Sequence, residues 1–172
     1  MLRTTWGQMT YFSKGIQLQD VALVDLDGTV CSTKHRDHLI PHWDNYSMAC
    51  GADPILPVGV NISNALSDHC QVVFVTGRQD IAADETQDWL AREGLQWTGL
   101  AMRVPGDHRP NPVIKRDFAQ AVLGSGAVIS VCVDDHPGVI VMMRQLGIPT
   151  LHAQFDETPV VFAQDFEAWR RW

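Results

Sequence analysis

Short runs of Val, Leu and Ile take turns with segments of helical periodicity from about residue 21 to residue 152, and few folds accept that order. A strand that returns to its own sheet through a helix is parallel to its predecessor, and a sheet covered by helices on both faces needs continuously apolar strands. The spacing predicts strands at 21–24, 72–75, 100–103, 128–133 and 150–151. Helices are predicted at 57–69, 80–93, 112–123 and 137–146, several with proline near the start and glycine just past the end. Residues 33–53, with several His, Trp, Pro and Asp, read as less regular, and residues 1–20 and 156–172 as flanking arms. The expectation is one α/β domain over residues 1–172, a parallel sheet flanked by helices with its core at about 21–152.

A chain of 172 residues, 45% of them hydrophobic, buries enough surface to fold without disulfides or structural metal. Its apolar runs are only a few residues long and the first fifteen residues lack a continuous hydrophobic stretch, so the expectation is a soluble, uncleaved, cytoplasmic protein with no membrane partner. Cys31, Cys50, Cys70 and Cys132 are scattered, without a CxxC pair, and read as reduced thiols. The net charge of −7 provides no general field to hold a long polyanion. Yet six of the 13 basic residues, Arg78, Arg92, Arg103, Arg109, Lys115 and Arg116, fall in one short stretch and leave room for a local basic patch.

The chemistry concentrates where the first parallel strand ends. Val21-Ala-Leu-Val runs straight into Asp25-Leu-Asp27-Gly28-Thr29, and in open α/β sheets ligands bind beyond the carboxyl ends of strands. In extended backbone Asp25 and Asp27 share a side, and Gly28 lets the chain turn away without a Cβ clash. The pair can flank one reacting centre.

This DxDGT sequence resembles the first motif of the haloacid dehalogenase (HAD) superfamily of phosphohydrolases. The other motifs of that superfamily follow in order: Thr76 in VVFVTGR, Lys115 in NPVIKR, and Asp134-Asp135 in VISVCVDDHP. The resemblance implies that Asp25 attacks phosphorus to give an aspartyl-phosphate, while Asp27 protonates the leaving oxygen and later deprotonates water, a role that calls for a raised pKa in the bound complex. It also implies Mg²⁺ held by Asp25, the Asp27 backbone carbonyl and Asp134, with Asp135 orienting the site. Thr76 and the amides around Gly77 would meet phosphoryl oxygens, and Lys115 would stand in for a second cation.

A closer likeness runs through Arg36, eleven residues after Asp25, then Arg78 in TGRQD, and Met102-Arg103 through Asp107 and Arg109 to Lys115. This string looks like the phosphatase domain of phage and bacterial polynucleotide kinase/phosphatase proteins, which remove 3′-phosphates from nucleic acid ends. There, arginines matching Arg36 and Arg78 contribute to the site, and Arg109 is carried over with them as a substrate contact. His136 and Met143 depart from the family pattern. No GxxxxGK[ST] occurs in the 172 residues, so a phosphatase without a kinase half is expected. Only 45 residues separate Val30 from Thr76, which leaves little for a cap domain and implies an open site.

The implied activity is a Mg²⁺-dependent phosphomonoesterase acting on a phosphate ester, with nucleic acid 3′ ends as the substrate. Rival readings are a small-molecule phosphatase such as a nucleotidase, a phosphotransferase, and a non-catalytic binding protein on the same fold. His35, His38 and His42 recur at helical spacing, but Pro41 interrupts them and the pattern fits no zinc signature. Trp169 and Trp172, beside Arg170 and Arg171, suit either packing of the tail or stacking on bases.

Overall fold

The computed structural model describes residues 1–155. Its strands are β1 (Leu2–Trp6), β2 (Met9–Ser13), β3 (Asp20–Val24), β4 (Gln71–Gln79), β5 (Gly99–Arg103), β6 (Val128–Asp134) and β7 (Thr150–His152). They form one sheet in the order β1-β2-β5-β4-β3-β6-β7. The five strands from β5 to β7 are mutually parallel, as the alternating sequence predicts.

One expectation needs correction: most of the first 20 residues are not a flanking arm. β1 and β2 form a hairpin, and β2 pairs antiparallel with β5, so the hairpin extends the parallel core into a mixed sheet. The hairpin turns at Gly7 and Gln8, both with positive φ (54° and 68°), the backbone of a two-residue turn whose twist matches that of the strands. The rings of Trp6, Tyr11 and Phe118 pack in tilted pairs at 5.2 to 6.3 Å between ring centres and seat the hairpin on the body. Gly99 gives Tyr11 its place, because a Cβ there would run into the phenol ring.

The helices are α1 (Trp43–Met48), α2 (Pro57–Ser67), α3 (Ala83–Arg92), α4 (Asn111–Gly124) and α5 (Pro137–Gln145). Side chains alternate along β3, so Val21 and Leu23 join one apolar layer with Phe118, Val122 and Met142 of α4 and α5. Ala22 and Val24 join the other, with Trp89 and Leu90 of α3 and the partly buried Val60 and Leu66 of α2. The irregular stretch is a 3₁₀ turn (Lys34–Leu39), the short α1 and a second 3₁₀ turn (Ala49–Ala52). It builds a wall beside the strand ends, tied to α3 by the Trp89 indole donating to the Asp53 carbonyl at 2.8 Å, and the described residues hold no separate cap domain.

All four cysteines are free thiols. Among the described residues no helix is long and apolar enough to cross a membrane. Trp169, Arg170, Arg171 and Trp172 lie outside the described residues. The chain order runs outward from β3 through β4 to β5 on one side, and resumes on the other with β6 and β7. Such a reversal opens a crevice above the ends of β3 and β6.

Candidate active site

Val24 at the end of β3 pairs with Phe74 on one side and Val133 on the other, so the next residue leaves the sheet between two neighbours. Asp25 is that residue, anchored by its amide donating to the Val133 carbonyl at 2.9 Å. Lys115 reaches in from the second turn of α4, and its ammonium donates to Asp25 Oδ1 at 2.6 Å and to Asp134 Oδ2 at 2.7 Å. All three side chains are buried. The other oxygen of Asp134 accepts the His136 amide at 2.9 Å, which fixes the turn carrying Asp135. Gly28 (φ 84°) passes so close to Asp135 that a Cβ would collide with its carboxylate. Here glycine is required by both conformation and space.

Burial pushes the Asp25 carboxyl well above the usual range; Lys115 opposes that rise, and the charges of Asp134, Asp135 and Asp27 add to it. Burial and Asp134 likewise raise Asp135. Lys115 loses hydration by burial, but Asp134 and Asp25 outweigh the loss and hold it protonated. One oxygen each from Asp25, Asp134 and Asp135 lies within 4.8 Å of the others. Three hard oxygen donors of like charge brought this close form a set whose repulsion a divalent cation relieves, and their chemistry suits Mg²⁺.

Asp27 belongs to a second, adjoining network. Arg78 donates to its Oδ1 through Nε at 2.9 Å and Nη2 at 2.5 Å, and Arg36 Nη2 donates to the same oxygen at 2.8 Å. Asp53, wholly buried, accepts two bonds from Arg36, each at 2.8 Å, and one from Arg78 at 2.6 Å. Arg36 also donates to the Tyr46 carbonyl at 2.8 Å and lies 4.1 Å above the Tyr46 ring. Burial raises Asp27, yet the two guanidiniums, Arg78 foremost, win and leave its carboxyl below the ordinary value. That direction is opposite to the raised pKa that acid catalysis calls for in the bound complex. Cys31, Arg36 and Arg78 all donate to Oδ1 of Asp27, and the side chain stays 24% exposed. Arg78 Nη1 is buried without a partner.

Both networks open on a cavity of about 480 Å³. Of the residues singled out in the sequence, Asp25, Asp27, Gly77, Arg78, Arg109, Lys115 and Asp135 line it. Thr76, Arg36 and Asp134 lie behind the lining, almost wholly buried. The Thr76 hydroxyl accepts the Arg78 amide at 3.1 Å, Arg36 braces Asp27, and Arg109 is clasped by Asp107 and Asp117 at 2.6 and 2.8 Å. Of the basic stretch, Arg92 and Arg116 are absent from the lining.

Sequence reasoning missed Asp53, and it missed the cavity walls formed by Trp43 and Tyr46; Arg103, which stood in the basic stretch without a role, also lines the cavity. Asp53 sits before a proline in an irregular segment and carries no motif; Trp43 is one of several aromatic residues there. His35 approaches Asp53 at 3.6 Å, but His35, His38 and His42 form no metal cluster among the described residues.

Against this geometry, the family model of the polynucleotide kinase PNKP phosphatase domain matches residues 19–157. Two solved structures of the Pnkp1/Rnl/Hen1 complex, described in one as an RNA repair complex, are similar at 24% and 21% identity with TM-scores of 0.69 and 0.70. Each match covers 86% of this chain and 49% or 46% of the other, so the chain spans about half the length of those relatives. A haloacid dehalogenase-like hydrolase from Streptococcus pneumoniae is similar at 12% identity, TM-score 0.53, over 79% of this chain and 84% of that one. No curated protein matches the sequence. The structural neighbours establish the haloacid dehalogenase fold, and with the family model matched over most of its length, the chain belongs to the PNKP phosphatase domain family.

Proposed function

We propose that this phosphatase domain is a Mg²⁺-dependent phosphomonoesterase that works through an aspartyl-phosphate and removes 3′-phosphates from nucleic acid ends. The observation that carries the chemistry is Lys115 bridging Asp25 and Asp134, with Asp27 facing the same cavity. Asp25 attacks phosphorus, and the ester P–O bond breaks as the new Asp25–O–P bond forms. Asp27 gives the departing alkoxide its proton, then takes one from the water that cleaves the aspartyl-phosphate, so inorganic phosphate leaves and both acids return to their starting forms. An arriving phosphate brings negative charge beside Asp27, which opposes Arg78 and Arg36 and favours the protonated acid. Oδ2, outside the guanidinium bonds, is the oxygen assigned to the mobile proton.

Mg²⁺ is assigned to Asp25, Asp134 and the Asp27 backbone carbonyl, with Asp135 beside them, and would supply charge neutralisation at the phosphoryl oxygens. Arg78 offers its unpartnered Nη1 to the same oxygens. Thr76 holds the Arg78 amide, and Arg36 acts as a positioning residue through Asp27. Support for a nucleic acid substrate comes from the family and from Trp43, which is 49% exposed on the cavity wall and presents an aromatic face of the kind on which bases stack.

The test is a phosphate-release screen over 3′-phosphorylated DNA and RNA oligonucleotides, mononucleotides and an aryl phosphate, with and without EDTA. Release from 3′-phosphorylated ends above all others, abolished by EDTA, is expected. Equal or faster turnover of mononucleotides would remove the end-processing claim. No release from any ester would leave a binding protein on a phosphatase fold.

A further inference from the structure

Each arginine or lysine on the cavity wall has a carboxylate partner except one. Arg78 has Asp27 and Asp53, Arg109 has Asp107 and Asp117, and Lys115 has Asp25 and Asp134. Arg103 has no ion pair among the described residues, although it lines the same cavity. Its acceptors are neutral: the Gly77 carbonyl at 3.0 Å, the Asp107 and Arg109 carbonyls at 2.9 and 2.7 Å, and the Asn111 amide oxygen at 2.5 Å. Four of the five guanidinium N–H groups are thereby used, leaving one on Nη2. The Asp107 carboxylate is the nearby counter-charge, but both its oxygens bond to Arg109. Burial and the charge of Arg109 depress the Arg103 pKa while Asp107 raises it.

Arg103 ends β5, and β5 lies two strands from β3, whose end carries Asp25. Two strand spacings are about 10 Å, so the guanidinium is a rigid positive group set apart from the reacting centre and within one cavity with it. A fixed planar cation with a free donor suits a phosphate oxygen. We propose that Arg103 binds a second anionic group of the substrate, the phosphate on the 5′ side of the nucleotide whose 3′-phosphate is removed. This rests on the 3′-phosphatase reading and narrows it. The preferred substrate class is one carrying a further phosphate one nucleotide back, and its smallest member is a nucleoside 3′,5′-bisphosphate.

Asn111 supplies the decisive variant. As the first residue of α4 it tolerates a carboxylate well, because the helix dipole favours negative charge there. Asn111→Asp keeps an acceptor oxygen in place for Arg103 Nη2 and cancels the charge the proposal depends on. The measurement is kcat/KM for phosphate release from a nucleoside 3′,5′-bisphosphate and from the matching nucleoside 3′-monophosphate, at low and high salt. In the wild type the bisphosphate is expected to be favoured about tenfold or more, through KM, with the preference shrinking as salt rises. In Asn111→Asp the ratio is expected to fall towards one. Arg103→Gln should do the same, and a purely structural loss there would lower both substrates alike.

Equal kcat/KM for the two substrates in the wild type, or a preference unchanged by Asn111→Asp, would overturn the assignment of Arg103 while leaving the 3′-phosphatase reading standing. If neither 3′-phosphate is released while a 5′-monophosphate or aryl phosphate is, the underlying reading is wrong and this proposal falls with it.

Discussion

Asp25 and Asp27 are two residues apart, yet they live in opposite electrostatic settings. Asp25 shares one ammonium with Asp134, whereas Asp27 shares two guanidiniums with Asp53. Asp25→Asn keeps an oxygen for Lys115, so the variant is expected to fold normally and release no phosphate; a near wild-type rate would refute the assigned nucleophile. Lys115→Met is different, because it leaves two buried carboxylates facing each other. It should slow turnover by roughly 10²-fold or more and cost about 3–5 kcal/mol in urea unfolding. Arg36→Met should be destabilising on the same scale, since it strips the buried Asp53 of two of its donors. Asp25, Asp27, Lys115 and the Asp134-Asp135 doublet were legible in the sequence because each follows a strand or sits early in a helix, where chain order dictates position. Asp53 was not, since only tertiary packing decides that this carboxylate lies between Arg36 and Arg78. Nor could sequence tell that Thr76 would turn its hydroxyl to the Arg78 amide.

At the scale of elements, the parallel strands and their crossover helices follow from alternating apolar runs and from prolines that open α2, α4 and α5. The β1–β2 hairpin escaped because Gly-Gln is a weak turn signal and β1, largely exposed, shows no apolar alternation. The hairpin is tied to the loop after β4 by Asp80, whose Oδ2 accepts Thr10 at 2.6 Å and Arg3 at 2.7 Å. Thr10→Val, nearly isosteric and buried, is expected to cost about 1–2 kcal/mol. Arg3→Ala, at an exposed position, is expected to cost less than about 0.5 kcal/mol. Denaturant unfolding of the two variants checks the contrast. The β5–α4 connection makes a separate prediction. Hydrogen bonds from Arg109 hold Asp107 down to about 2. A depressed carboxyl favours the folded state above its unfolded value of about 3.9 and loses that contribution as pH falls through the folded value. The Tm advantage of wild type over Asp107→Asn should therefore be full above about pH 4 and vanish near pH 2.

On the whole molecule the charge is −7, and the fold concentrates part of it where β3 and β6 end, bringing Asp25, Asp134 and Asp135 together from two distant stretches of sequence. The unfolded chain holds no such cluster, because about 110 residues separate Asp25 from the doublet. A cation bound there binds the folded state alone, and mass action then stabilises the fold by RT ln(1 + [L]/Kd). At a Mg²⁺ concentration one hundred times Kd the gain is about 2.7 kcal/mol, which for a domain of this size raises Tm by about 5–10 °C. EDTA should return Tm to its starting value with the far-ultraviolet circular dichroism at low temperature unchanged, since Lys115 already bridges two of the three acids. Asp135→Ala should diminish the Mg²⁺ shift while keeping the metal-free fold, because it removes an oxygen donor together with a carboxylate whose charge burial and Asp134 disfavour. Thermal melts of both proteins across a Mg²⁺ titration check this without recourse to activity. A Tm indifferent to Mg²⁺ in the wild type would place the cation, and the chemistry assigned to it, away from the crevice at the strand ends.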